Sequence, residues 1–241
     1  MRQKRIKDVE RKVAPYRRYL VEEPRENRGV WRNVFAARCI GQAQAASGRK
    51  LYLEIGCGKG LFIKTLSSEN LDSLYLAAEG QMSVAYRALA TAAGTLSAVK
   101  QGFYIREDDV PPPRNLLFLR TYIFEPGEFF ADGELNGIYL NFSDPWPKAR
   151  HEKRRVTSPA FLEAYRKVLA PGGFLSLKTD NDILFEYSAA TIEAAPGFSV
   201  ERLTHDLYAS EFLAGNVPTE YERKWVNLNR KIKHILAVKT D

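Results

Sequence analysis

Short apolar runs alternate with amphipathic stretches along most of this chain. Residues 50–55, 74–78, 116–119, 135–140 and 174–179 are brief runs led by Leu, Ile, Tyr, Phe and Ala, and they read as strands. Helix-period patterns fall between them: one begins at residue 61, one covers 83–93 and one covers 183–195. A further helix is expected after a cap at Thr157 or Ser158, with Pro159 in its first turn and Pro171-Gly172-Gly173 closing it. An Ala-rich pattern over 31–46 predicts a helix ahead of the first strand, and β-rich segments near 198–203 and 231–238 follow the last helix. Strands and helices in this alternation predict an α/β fold built on a doubly wound sheet.

Two stretches depart from the rhythm. Residues 100–115 carry Glu107-Asp108-Asp109 and then Pro111-Pro112-Pro113, which predicts an inserted surface loop near 100–114. The first eighteen residues hold eight Lys or Arg against Asp8 and Glu10, with few apolar side chains. Residues 1–25 are therefore expected to form a flexible basic arm ahead of a single domain over 26–241. At 241 residues and 45% hydrophobic content the chain can bury one large core. No apolar stretch is long enough to span a bilayer, and the N-terminus is charged where a signal peptide needs an apolar run, so a cytoplasmic protein with no membrane partner is expected. Cys39 and Cys57 lack disulfide or metal-ligand spacing; both are expected reduced, and no metal is expected. A net charge of +7 admits nucleic acid or another anionic surface as partner without separating them.

Candidate chemistry gathers at two strand ends. Glu54-Ile-Gly56-Cys-Gly58-Lys-Gly60 joins a strand to a helix through a glycine-rich loop, the order a nucleotide cradle needs, because glycine admits positive φ and close ligand approach. The spacing is not that of the dinucleotide fingerprint Gly-x-Gly-x-x-Gly. A carboxylate at position 54 would repel a pyrophosphate and suits a ligand bearing an ammonium or sulfonium. Glu79 stands at the end of the next strand, placed to accept from both hydroxyls of an adenosine ribose, or else to favour the dipole of the helix that follows.

The second strand end is residues 141–155, Asn-Phe-Ser-Asp-Pro-Trp-Pro-Lys-Ala-Arg-His-Glu-Lys-Arg-Arg. Pro145 and Pro147 bias Asp144 and Trp146 away from helical backbone and predict a stiff, extended elbow holding a carboxylate and an indole. Behind it, residues 148–155 set five Lys or Arg against one Glu, a run that attracts polyanions. The strand over 174–179 delivers Asp180-Asn181 to the same sheet edge as Asp144.

These residues carry a family resemblance. The 141–155 block, the 54–60 loop, Lys178-Thr-Asp-Asn181 and Thr219-Glu-Tyr-Glu222 together resemble the bacterial tRNA (guanine-N7-)-methyltransferases, from about Asn27 to the C-terminus. The resemblance implies a Rossmann-like class I methyltransferase sheet, mostly parallel with an antiparallel C-terminal strand and helices on both faces. It implies transfer of a methyl group from S-adenosyl-L-methionine to N7 of a guanine in the tRNA variable loop, by a monomer or a homodimer. Carried over, Glu54, Gly56, Gly58, Gly60 and Glu79 hold the cofactor; Asp144 orients the guanine and touches the cofactor; Lys148 and Asp180 contact the target nucleotide. Thr219, Glu220, Tyr221 and Glu222 match the segment that closes over the substrate, with Glu222 a further acceptor. Arg150, His151, Glu152, Lys153, Arg154 and Arg155 match the RNA-contacting stretch. Trp146 either stacks on a flipped guanine or braces the elbow. After the third strand the family has Asp or Asn near the adenine, whereas this chain has Arg120-Thr121-Tyr122. Either Tyr122 marks a contact made by ring and backbone, or the proline-rich insertion shifts the register.

Three other readings stand beside this one: a class I methyltransferase with another substrate, an RNA-binding module without catalysis, and an NAD-type oxidoreductase. No cysteine nucleophile sits in the elbow and no Asn-Pro-Pro-Tyr elbow occurs, against pyrimidine-carbon and exocyclic-amine methylation respectively. The intact acids argue against a purely binding role, and the glycine spacing against NAD.

Overall fold

The computed structural model describes residues 6–39 and 48–241. Contacts gather them into two compact units, Met1–Ile123 and Phe124–Asp241.

In the first unit, α1 (Val9–Val13), β1 (Leu20–Val21) and α2 (Trp31–Arg38) precede β2 (Leu51–Ile55), α3 (Leu61–Glu69), β3 (Leu74–Ala78), α4 (Met82–Ala92), α5 (Leu96–Lys100) and β4 (Leu116–Leu119). The strands pair in parallel in the order β1, β4, β3, β2. All five residues of β3 and all four of β4 are buried, as parallel strands covered on both faces require. The Asn115 amide donates to the carbonyls of Ser67, Asn70 and Ser73 at 3.0–3.1 Å, tying the end of α3 to the start of β4.

The flexible arm expected over 1–25 is not what the described part of it forms. From residue 6 onward Val13, Tyr16, Tyr19, Leu20 and Val21 are buried, and the Tyr16 hydroxyl lies 2.6 Å from Thr95 Oγ1. Its cations are spaced around these apolar side chains, so a charged segment still packs; residues 1–5 lie outside the described residues. The helix expected over 31–46 ends at Arg38, and residues 40–47 also lie outside them. In the 100–114 stretch Lys100 ends α5 and Glu107–Asp109 form a single 3-10 turn, and the side chains of Ile105 and Val110 are buried.

The second unit holds β5 (Leu135–Asn141), α6 (Pro159–Val168), β6 (Leu169–Thr179), α7 (Asp182–Glu193), β7 (Phe198–Thr204), α8 (Glu220–Val226) and β8 (Lys233–Lys239). β5 and β6 are parallel, whereas β8 runs antiparallel to both β6 and β7. The chain is thus α/β, mostly parallel, with antiparallel pairing at its C-terminal strands. One boundary moves: α6 stops at Val168, and Pro171-Gly172-Gly173 lies within β6, where the register with β5 shifts. A Cβ at position 173 would sit 2.8 Å from the Ala170 carbonyl oxygen, so glycine is needed there to fit the irregular strand and not to end a helix.

Candidate active site

The first unit forms a cradle from backbone. Gly56 and Cys57 both donate their N–H to the Ala78 carbonyl at 2.9 and 3.0 Å, lashing the loop after β2 to the end of β3. Gly56, Gly58 and Gly60 have φ of +74°, +58° and +75°, a backbone region costly for any residue with a Cβ. Around the Cβ positions of Gly56 and Gly58 no atom lies within 4 Å, so the loop borders open space; at Gly60 the Cβ would lie 3.0 Å from that of Ala88 on α4.

Glu79 joins this loop to the next helix. Its Oε2 accepts from Gly58 N–H at 3.2 Å and its Oε1 from Gln81 N–H, just before α4, at 2.8 Å. One lone pair on each oxygen remains for a donor such as a ribose hydroxyl. Burial raises the Glu79 pKa, and the two backbone donors only partly offset it. Glu54, near the end of β2, is 1% exposed. Burial first, and then the carboxylates of Glu54 and Glu79, push the Cys57 thiol well up, and Cys39 is pushed up to about 12 by burial; both are free thiols, as expected. Tyr122 lies against Gly80, whose Cβ would fall 2.3 Å from Cε2 of the ring, while the side chain stays 59% exposed. An aromatic surface therefore stands next to Glu79.

In the second unit the elbow is held by side chains. Phe142 N–H donates to the Lys178 carbonyl at 2.8 Å, extending the β5–β6 ladder, and Phe142 and Trp146 then take φ of +53° and +41°. The expected extended backbone at Trp146 is thus corrected to a left-handed one. Arg155 explains it: its Nε donates to the Trp146 carbonyl at 3.2 Å, and its guanidinium lies 4.3 Å from the ring centre of Tyr187. The Arg154 guanidinium covers the Trp146 ring at 4.9 Å, and His151 meets that ring edge-on at 5.5 Å. Trp146 therefore braces the elbow, while Asp144 projects into solvent.

The cationic run divides. Lys148, Arg150, Lys153 and Arg154 are exposed and available to phosphates. Arg155, expected among the RNA contacts, is only 7% exposed, and its side chain holds the loop through the Trp146 carbonyl and the Tyr187 ring. Glu152 accepts from the Tyr187 hydroxyl at 3.0 Å and His151 packs on Trp146, so these two also serve the loop's shape.

Glu222 is an internal anchor in this structure. It is 0% exposed and accepts from Lys178 Nζ (2.6 Å), Thr219 N–H (3.1 Å), Asn216 Nδ2 (2.7 Å) and the Tyr208 hydroxyl (3.1 Å). With four donors and no exposure it fixes the 216–222 segment. Lys178, whose role sequence reasoning missed, also donates to Val217 O and Asn216 Oδ1. Tyr221 meets the Phe142 ring at 5.0 Å, so the 219–222 segment is tied to the base of the elbow as well as to β6. Asp180 is partly exposed at the end of β6, with its carbonyl held by Lys233, and Asn181 caps α7 by accepting from Leu184 N–H at 2.9 Å. Within this unit Asp144 and Lys148 lie in the loop after β5 and Asp180 directly follows β6, its parallel neighbour, while Glu220 and Tyr221 stay at least partly exposed. His234, also missed, is brought down to about 4 by burial and then by the Lys178 and Arg202 charges.

Among the described residues no cluster of His, Cys, Asp and Glu could hold a metal ion, and no helix is long and apolar enough to cross a membrane.

Comparison with known proteins agrees with this geometry. Residues 48–235 match a family model described as "Putative methyltransferase". The tRNA (guanine-N(7)-)-methyltransferase of Brevibacillus brevis is 35% identical over 97% of this chain and 97% of its own, and that of a Geobacillus species is 38% identical over 89% and 84%. The crystal structure of the 16S rRNA methyltransferase KamB superposes with a TM-score of 0.54 at 15% identity, over 83% of this chain and 92% of that one, which speaks for the class I methyltransferase fold alone. By its sequence identity over nearly its whole length, the chain belongs to the tRNA (guanine-N(7)-)-methyltransferase family.

Proposed function

We propose that this protein transfers the methyl group of S-adenosyl-L-methionine to N7 of a guanine in the variable loop of tRNA. The observation that carries the reading is that one chain holds both a glycine cradle closed by Glu79 and an elbow that presents Asp144 beside exposed cations. The donor supplies an electrophilic methyl on a sulfonium. N7 of guanine carries an in-plane lone pair that is free at neutral pH, so no base has to remove a proton before attack. The new N7–carbon bond forms as the carbon–sulfur bond breaks, and the sulfur keeps the electron pair. Catalysis then rests on positioning and electrostatics.

The side chains divide the work accordingly. Glu79 accepts from the ribose hydroxyls with its two remaining lone pairs. Gly56 and Gly58 leave room for the donor, and Tyr122 offers its ring to the adenine. Asp144 orients the guanine, Asp180 accepts from its amino group, and Lys148 takes the phosphate of the same nucleotide. Arg150, Lys153 and Arg154 grip the flanking backbone without reading sequence.

The test is transfer of labelled methyl to a tRNA transcript carrying guanine in the variable loop, against the same transcript with adenine there. Label on the first alone is expected, and Asp144→Ala should abolish it while leaving tRNA binding nearly intact. Label on both transcripts, or an active Asp144→Ala, would overturn the assignment.

A further inference from the structure

Phe124, the first residue of the second unit, is 68% exposed, and it lines an open cleft of about 490 Å³ with Glu125, Trp146, Lys153, Arg154 and Phe161. Large exposed aromatics in a concave, charged setting mark binding surfaces. None of the residues assigned to the target guanine, Asp144, Lys148 or Asp180, lines this cleft. Its walls combine aromatic rings, two cations and one carboxylate. A free phosphate would leave the aromatic surface without a role, and an apolar peptide would leave Lys153 and Arg154 unmatched. A nucleotide matches all three: its base has a π face for Phe124, its phosphate suits the cations, and its exocyclic N–H groups suit Glu125.

We propose that this cleft binds a second nucleobase of the RNA substrate, one that is not methylated, stacked on Phe124 with its phosphate on Lys153. The proposal rests on RNA being the substrate, but not on which atom is methylated. Its effect reaches the elbow through Trp146, which lines the cleft, carries the Arg154 guanidinium at 4.9 Å and follows Asp144 by two residues. Seating this base thus steadies the loop that orients the target.

The test is binding of a tRNA transcript, without cofactor, across a salt titration. Phe124→Ala is expected to weaken binding roughly tenfold, the loss of one stacked base, with an unchanged salt slope. Phe124→Tyr should bind as the wild type does, and Lys153→Ala should lower the slope by about one. Because Phe124 is exposed, the alanine variant should fold, and unaltered affinity for S-adenosylhomocysteine checks that it has. Wild-type binding by Phe124→Ala would overturn the proposal, as would an equal loss in Phe124→Tyr. A transcript bound in a Phe124-dependent way yet never methylated would uphold the cleft and overturn the methyl-transfer reading. A transcript methylated and bound equally well by Phe124→Ala would do the reverse.

Discussion

The glycine cradle of the first unit and the elbow of the second reach a fixed shape by opposite means. In the cradle, backbone amides hold the loop and hold Glu79, so its form follows from residues that lack side chains. In the elbow, Arg155 grips a carbonyl, Arg154 and His151 wedge an indole, and a buried lysine anchors the segment alongside. A cradle of this kind fails when something is added, whereas such an elbow fails when something is removed.

The buried anchor offers the largest test of that contrast. Lys178→Met leaves Glu222 charged and fully buried, and should destabilise the protein by about 3–5 kcal/mol in urea unfolding. Adding Glu222→Gln removes the orphaned charge and should recover much of the loss. If the double variant were no better than the single one, the ion pair would not be what holds the 216–222 segment.

Beside it, His234 adds a pH window. Its folded pKa is lowered from 6.5 to about 4, so between these values the unfolded chain binds more protons. Stability contributed by the neutral ring is therefore full above 6.5 and drains away as pH falls towards 4, by up to about 3 kcal/mol. His234→Gln should flatten the unfolding free energy across that window. An equally steep variant would place the dependence elsewhere.

The cradle responds to addition. Gly60→Ala places a methyl group at φ +75° and 3.0 Å from Ala88 Cβ, and should cost about 1–2 kcal/mol or more while weakening S-adenosylhomocysteine binding. Wild-type affinity in that variant would show that the loop tolerates crowding. The smallest effect on stability separates two neighbouring arginines. Arg154→Ala should lose about 0.5–1 kcal/mol of cation–π contact and reduce the salt slope of tRNA binding by about one. Arg155→Ala should leave that slope unchanged, because its guanidinium is buried, and should instead lower turnover by releasing the Trp146 carbonyl.

Much of the cradle was legible in the sequence because its rules are local. Residues 74–78 and 116–119 are apolar runs bounded by polar residues, and both strands occupy those bounds. Three glycines spaced by one residue already imply repeated positive φ. The elbow's location was equally plain, but not what holds it. Arg155 closes a run of charge that looks solvated, and a carbonyl nine residues upstream and the Tyr187 ring draw it inward. Lys178 and Glu222 are forty-four residues apart, so no local pattern announces their pairing. One signal was available: Thr219-x-x-Glu222 is a capping box, in which Thr219 Oγ1 accepts from Glu222 N–H and the carboxylate returns to Thr219 N–H, directing that acid inward. The N-terminal residues misled because a high charge count hides apolar positions spaced closely enough to pack.

The contact between Gly80 and Tyr122 has a consequence for how this site can drift. With ring atoms 2.3–2.4 Å from where a Cβ would stand, no larger residue fits at position 80 while the tyrosine keeps its place. The two positions are therefore tied: a side chain at 80 requires the exposed Tyr122 ring to swing away from Glu79 or to give way to a smaller residue.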